Sequence, residues 1–293
     1  MVDSFIKYIS FEKRYSQHTV NSYQNDLNQF SQYLSSNFQI LELQESTQLM
    51  VRSWILSLMD SGIAAKSVNR KIASLRSYYK FLLKRETISK DPTAKVKLLK
   101  TPKQLPNFVD ESELSNFLDK TEFPNDFEGQ RKKLILELFY GTGIRLSELI
   151  GLLETNVDLR QKTIKVLGKR NKERIIPVSE SLCEVIINYK NLKKTSFENV
   201  YSTFLIVNNS GEQSYPMMVQ RIVKSYLNGL KSIDKKSPHV LRHTFATHLL
   251  NKGADLNAVK DLLGHTSLAA TQVYTHNSLD KLKSVFDQAH PKA

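Results

Sequence analysis

The sequence predicts a mainly α-helical protein of two domains, with a small antiparallel sheet in the second. Three observations carry this. Over much of the chain apolar residues recur at steps of three and four, which marks one buried face on a helix of ~3.6 residues per turn. Between Thr163 and Val178 the period changes, and two short β-rich runs flank a polar turn. The chain has 293 residues, too many for one module at ~150 residues per domain. A lysine-rich stretch without a stripe, bracketed by Pro92, Pro102 and Pro106, offers the boundary.

The first third reads as a helical bundle. Val20, Tyr23, Leu27, Phe30 and Leu34 form one stripe, with Ser16 placed as N-cap. Val51, Trp54, Ile55, Leu58 and Met59 form a second, closed by Gly62 just past the helix end. Val68, Ile72, Leu75, Tyr79 and Leu82 form a third. This domain is expected over residues 1–98, a linker over 99–106, and the second domain over 107–293. Extended, the residues from 99 to 107 span about 30 Å, enough for the two domains to close on a bound partner from opposite sides.

The second domain opens with a helix capped by Asp110 or Ser112. A longer buried helix follows, with Leu134, Leu138 and Tyr140 to Ile144. A hairpin comes next, Thr163–Leu167 and Arg174–Val178 around Gly168 to Glu173. Helices then return, with loops near Asn208–Gly211 and Ser232–Ser237.

Composition narrows the function. The net charge is +13, and eleven cations between Lys66 and Lys100 face only Glu86 and Asp91. A solvated helix face interleaves both signs. This one, with Lys66, Arg70, Lys71, Arg76 and Lys80, reads instead as a phosphate-tracking surface on DNA. A hydrophobic content of 40% excludes wholesale disorder. Cys183 is the sole cysteine, so no intrachain disulfide forms. No apolar run approaches the ~18–20 residues that cross a bilayer, and the charged first residues are unlike a signal peptide. A soluble, cytoplasmic protein that binds nucleic acid and no membrane is expected.

Candidate chemistry lies in three places. Ser237 and Pro238 open a helix as N-cap and first residue, so His239 and Arg242 share the face of its first turn, which suits a phosphate. The plainer alternative is a charged surface turn. Asp255 to Leu263 carries a stripe closed by Gly264, His265 follows on the fixed turn, and Tyr274 lies about two turns into the next helix. Taken alone, such a tyrosine reads better as a core residue. In Gly141–Leu149, Arg145 follows a glycine bend and Glu148 sits one turn on, placed to orient the guanidinium or simply to tie two helices.

Together, Arg145, Lys169, His239, Arg242, His265 and Tyr274 supply what phosphoryl transfer to a tyrosine needs without a metal. Two arginines neutralise non-bridging oxygens, a lysine protonates the leaving oxygen, and histidines move the phenol proton. The covalent phosphotyrosine conserves the bond energy, so rejoining needs no ATP and no cofactor.

The boxes Thr142–Leu149, Gly168–Arg174, His239–Ala246, Leu263–His265 and Tyr274–His276, in this order, make the chain resemble the tyrosine recombinase (phage-integrase-like) family. The resemblance covers about Ser4 to Phe286 and is strongest to the Xer-type site-specific recombinases. It implies an N-terminal SAM-like core-binding domain and a catalytic domain. It matches Arg145 and Arg242 to the family's arginine pair, Lys169 to its lysine, His239 and His265 to its histidine positions, Glu148 to its acidic support and Tyr274 to its nucleophile. The turn reads Lys169–Arg170 where Xer proteins have Lys–Gly, so Lys172 competes for the lysine role.

The implied activity is cutting and rejoining of double-stranded DNA through a 3′-phosphotyrosine, in a homotetramer or a heterotetramer with a second recombinase. The implied role is chromosome-dimer resolution in segregation and cell division, with a septal DNA translocase as a further partner. A mobile-element integrase is the close rival. A non-catalytic DNA-binding protein and a metallohydrolase are weaker readings, because the first has no use for the full residue set and the second lacks a ligand cluster. Leu279, Leu282, Val285 and Phe286 predict a short last helix, which packs either on its own catalytic domain or, as the resemblance implies, on the neighbouring subunit.

Overall fold

The computed structural model describes residues 1–102, 108–168, 172–198, 202–230, 232–233, 236–264 and 284–289. The chain divides into two compact units, Met1–Gln104 and Leu105–Ala293.

The first unit contains α1 (Val2–Lys7), α2 (Gln17–Phe38), α3 (Gln48–Asp60) and α4 (Ala65–Lys84). The side chain of Ser16 caps α2 by accepting from the Thr19 amide, and Thr47 caps α3 through the Met50 amide. The three apolar stripes meet in one core that includes Phe30, Trp54, Leu75 and Tyr79, whereas Met59, assigned to the second stripe, is exposed at the last turn of α3. The short α1, which lacks a readable stripe of its own, adds Phe5 with its ring edge-on to Tyr78. Leu99, the first residue of the expected linker, is held to α4: its amide donates to Asn69 Oδ1 at 2.8 Å, and its carbonyl accepts from Asn69 Nδ2 at 2.9 Å.

A polar knot lies inside this helical core. Asp26, 1% exposed, accepts from Arg70 through both carboxylate oxygens, from Lys71 Nζ at 3.0 Å and from Ser74 Oγ at 2.7 Å. Lys71 also donates to Gln29 Oε1. A carboxylate buried this deeply needs such partners.

The second unit contains α5 (Glu111–Lys120), α6 (Phe127–Thr142), α7 (Leu146–Ile150), β1 (Val157–Asp158), β2 (Thr163–Leu167), β3 (Glu173–Pro177), α8 (Glu180–Ser196), α9 (Pro216–Leu227), α10 (Pro238–Asn251) and α11 (Leu256–Leu263). Asp110, not Ser112, caps α5. From Leu138 to Thr142 α6 is buried on every side, and α8 and α10 pack against the helix. The expected hairpin is present, and β1 extends it to a three-stranded antiparallel sheet in the order β1-β2-β3. The register pairs Ile164 with Ile176 and Val166 with Arg174, and all four face inward.

Residues 284–289 are helical. Phe286, 1% exposed, and Ala289 lie in the core of their own domain. So short a helix needs an apolar surface to pack on, and this core supplies one.

Candidate active site

Gly143 and Gly264 make the turns that build the site. Gly143 ends α6 with φ +59, and a Cβ there would lie 2.5 Å from Phe245 Cδ1, so both conformation and space require glycine. The helix runs through Gly141, so only the second glycine of the Gly-Thr-Gly run bends the chain. Arg145 follows two residues later as the N-cap position of α7. Gly264 ends α11 with φ +62, and its carbonyl accepts from Arg145 Nη2 at 2.9 Å.

Glu148 lies at the centre. Its Oε1 accepts from Arg145 Nη1 at 2.6 Å and its Oε2 from the Arg145 amide at 2.8 Å. It also takes a two-point grip from Arg174, whose Nη1 and Nη2 donate to Oε1 and Oε2, both at 2.8 Å. Burial pushes this carboxyl upward, but hydrogen bonds and charge from Arg174, then from Arg145, outweigh it and hold the group down at about 2.

Arg242 enters from the first turn of α10, buried, with Nη1 on the Gly143 carbonyl and Nη2 on the Leu263 carbonyl at 2.5 Å. Burial, then the nearby charges of Arg145 and Arg174, push its guanidinium down to about 9, while Glu148 opposes the shift. Three cations face one carboxylate here, so the cluster carries excess positive charge in a low-dielectric setting. Such a place stabilises an anion strongly. Arg145 is 28% exposed at its side chain and Arg174 only 4%, so Arg145 is the more open of the two.

The structure thus brings together Arg145, Glu148 and Arg242. His239 is exposed on the same first turn of α10 as Arg242, and Ser237 stands at the N-cap without a side-chain cap bond. Lys169, His265 and Tyr274 lie outside the described residues. The Gly168 amide donates to the Lys172 carbonyl at 2.7 Å, and Lys172 is exposed. On α4, Lys66, Arg70 and Lys80 are exposed, with Arg70 also gripping Asp26. Arg76 donates to the Val96 carbonyl. Lys71 does not share that face: its ammonium is buried on Asp26.

Arg174 is the site residue that sequence reasoning left without a role. Its signal was legible: it precedes the inward Ile176 by two residues, which puts a cation on the buried face of a strand.

Comparison with known proteins agrees with this architecture. Residues 107–280 match the phage integrase family model, and residues 2–86 match the phage integrase N-terminal SAM-like domain. The chain belongs to the phage integrase family of tyrosine recombinases, which are DNA strand-transferring enzymes. It is 36% identical to the tyrosine recombinase XerC of Chlorobaculum parvum, over all of this chain and 94% of that one. It is 34% identical to the tyrosine recombinase XerD of Staphylococcus haemolyticus, over 100% and 99%. Among solved structures, XerH bound to palindromic difH in a post-cleavage complex matches 97% of this chain and 83% of its own, with TM-score 0.73 and 23% identity. The Tn1549 transposon integrase in complex with transposon right end DNA matches 98% of each chain, with TM-score 0.71 and 20% identity.

Proposed function

We propose that this recombinase cleaves double-stranded DNA with Tyr274 as nucleophile, giving a 3′-phosphotyrosine and a free 5′-hydroxyl. Arg145 and Arg242 neutralise the non-bridging oxygens of the transition state, as two forked cations can. Lys169 protonates the departing 5′-oxygen, and His239 and His265 carry the phenol proton. The observation that supports this best is the anchoring of Arg242 on the Leu263 carbonyl and Arg145 on the Gly264 carbonyl. Both arginines are thereby tied to the residues directly before His265. Exposed Lys66, Arg70 and Lys80 would track phosphates from the first domain, with Arg76 beside them.

The XerC and XerD names of the relatives support resolution of chromosome dimers in the cytoplasm. The assembly would be a homotetramer or a heterotetramer with a second recombinase, aided by a septal DNA translocase. Arg145→Ala and Arg242→Ala should each slow cleavage by several kcal/mol, on the order of 10²–10³-fold, with half-site binding nearly kept. Cleavage should persist in EDTA. Abolition by chelator with recovery in Mg²⁺ would overturn the mechanism. Mapping protected genomic DNA tests the role: one site near the replication terminus supports it, and a mobile-element boundary replaces it with integration.

A further inference from the structure

Arg174 is the cation of this cluster that the strand-transfer mechanism leaves unused. Its two Nη atoms hold Glu148, and its Nε donates to the Leu262 carbonyl at 2.7 Å. Every nitrogen of its fork is therefore engaged with protein, and the side chain is almost fully enclosed. It is not placed to meet a phosphate.

We propose that Arg174 is a positioning residue for DNA cleavage, holding Glu148 and the end of α11 in one frame so that Arg145 and Arg242 meet the same phosphate. The inference rests on the strand-transfer reading above and extends it to a residue outside that mechanism.

Three consecutive carbonyls carry the argument. Leu262 accepts from Arg174, Leu263 from Arg242 and Gly264 from Arg145. One helix end, itself partly negative, thus sets the spacing of all three guanidiniums. Arg174 alone of the three grips both oxygens of Glu148 through its fork, so it fixes the carboxylate that orients Arg145. Its stem also packs on the turn: a Cβ on Gly264 would lie 3.1 Å from Arg174 Cδ. From the other side Arg174 lies one rung inside the last pair of the β2–β3 ladder, Leu167 with Glu173. A lysine keeps the charge but lacks the fork, so it cannot make these contacts together.

The test is single-turnover cleavage of a nicked suicide substrate by the full chain, comparing wild type with Arg174→Met and Arg174→Lys, and with Tyr274→Phe as blank. Half-site affinity should stay within about twofold, since every nitrogen of the Arg174 fork is already engaged within the protein. Cleavage by Arg174→Met should fall on the order of 10²-fold, the scale of a 1 Å misplacement. Arg174→Lys should recover about tenfold of that loss. Among the described residues the charged groups facing Glu148 are Arg145, Arg174 and Arg242. Removing Arg174 removes the strongest force keeping Glu148 ionised, so the acidic limb of the rate profile should move to higher pH. A purely structural loss would lower the active fraction and leave that limb in place, which would overturn the proposal. So would Arg174→Met cleaving within about threefold of wild type. If Arg174→Met does not fold, Arg174→Lys decides: wild-type cleavage by that variant shows that the fork is not needed. Failure of wild type itself to form the adduct overturns the strand-transfer reading with it, whereas normal wild-type cleavage matched by both variants overturns only this inference.

Discussion

Replacing Glu148 with Gln removes the charge from the centre of the site while nearly preserving its shape. Two linked magnitudes follow. The carboxyl is held at about 2, against 4.5 in an open chain, because Arg174 and Arg145 outweigh its burial. At ~1.4 kcal/mol per pH unit that depression stabilises the folded domain by about 3 kcal/mol. Leaving buried cations without their carboxylate costs about 3–5 kcal/mol by analogy with other broken buried pairs. The folded value lies below the unfolded one, so this stability is fully present above pH 4.5 and is lost as pH falls towards 2. Glu148→Gln should therefore be about 3 kcal/mol less stable at pH 7, and the gap should narrow below about pH 4.5. Urea unfolding followed by far-ultraviolet circular dichroism measures it. Trp54, the chain's one tryptophan, lies in the first unit, so its fluorescence reports the other domain and should hold its midpoint. A gap below about 1 kcal/mol, or one unchanged between pH 7 and pH 3, would refute the electrostatic account of this cluster.

Two further outcomes separate surface from core. Lys66→Ala and Lys80→Ala should each reduce the slope of log K against log salt by about one, because each removes a phosphate contact. Lys71→Ala should leave that slope alone and lower the first domain's stability, and a flattened slope would place its ammonium on DNA after all. Phe286→Ala should cost about 3–5 kcal/mol in the isolated chain, measured by the same dichroism transition, since the ring fills the core of its own domain. A loss under about 1 kcal/mol would put the last helix on another subunit.

Much of the fold is legible in the sequence because burial here follows period. The stripes of α2, α3 and α4, the hairpin and the closing glycines all report one physical rule, that each element hides a single apolar face. Lys71 shows where charge counting misleads. It stands three residues after Val68 and four before Leu75, on the stripe itself, and a cation there implies a buried carboxylate partner, which is Asp26. Arg174 hides for the same reason on a strand, with its alternation pointing inward beside Ile176. Arg145, Glu148 and Arg242 were readable as a family motif. Their common anchorage was not, because consecutive carbonyls at the end of α11 become acceptors only once that helix is in place. Nor does the sequence alone say on which core Phe286 packs, since an apolar stripe names its need and not its partner.

The central claim is a metal-free covalent step at Tyr274. The most direct measurement incubates the full chain in EDTA with a nicked suicide substrate and resolves protein–DNA adduct on a denaturing gel. Wild type should accumulate a covalent adduct whose modified peptide contains Tyr274 by mass spectrometry, and Tyr274→Phe should bind the same DNA and form none. Adduct formation by Tyr274→Phe at the wild-type level would contradict the account.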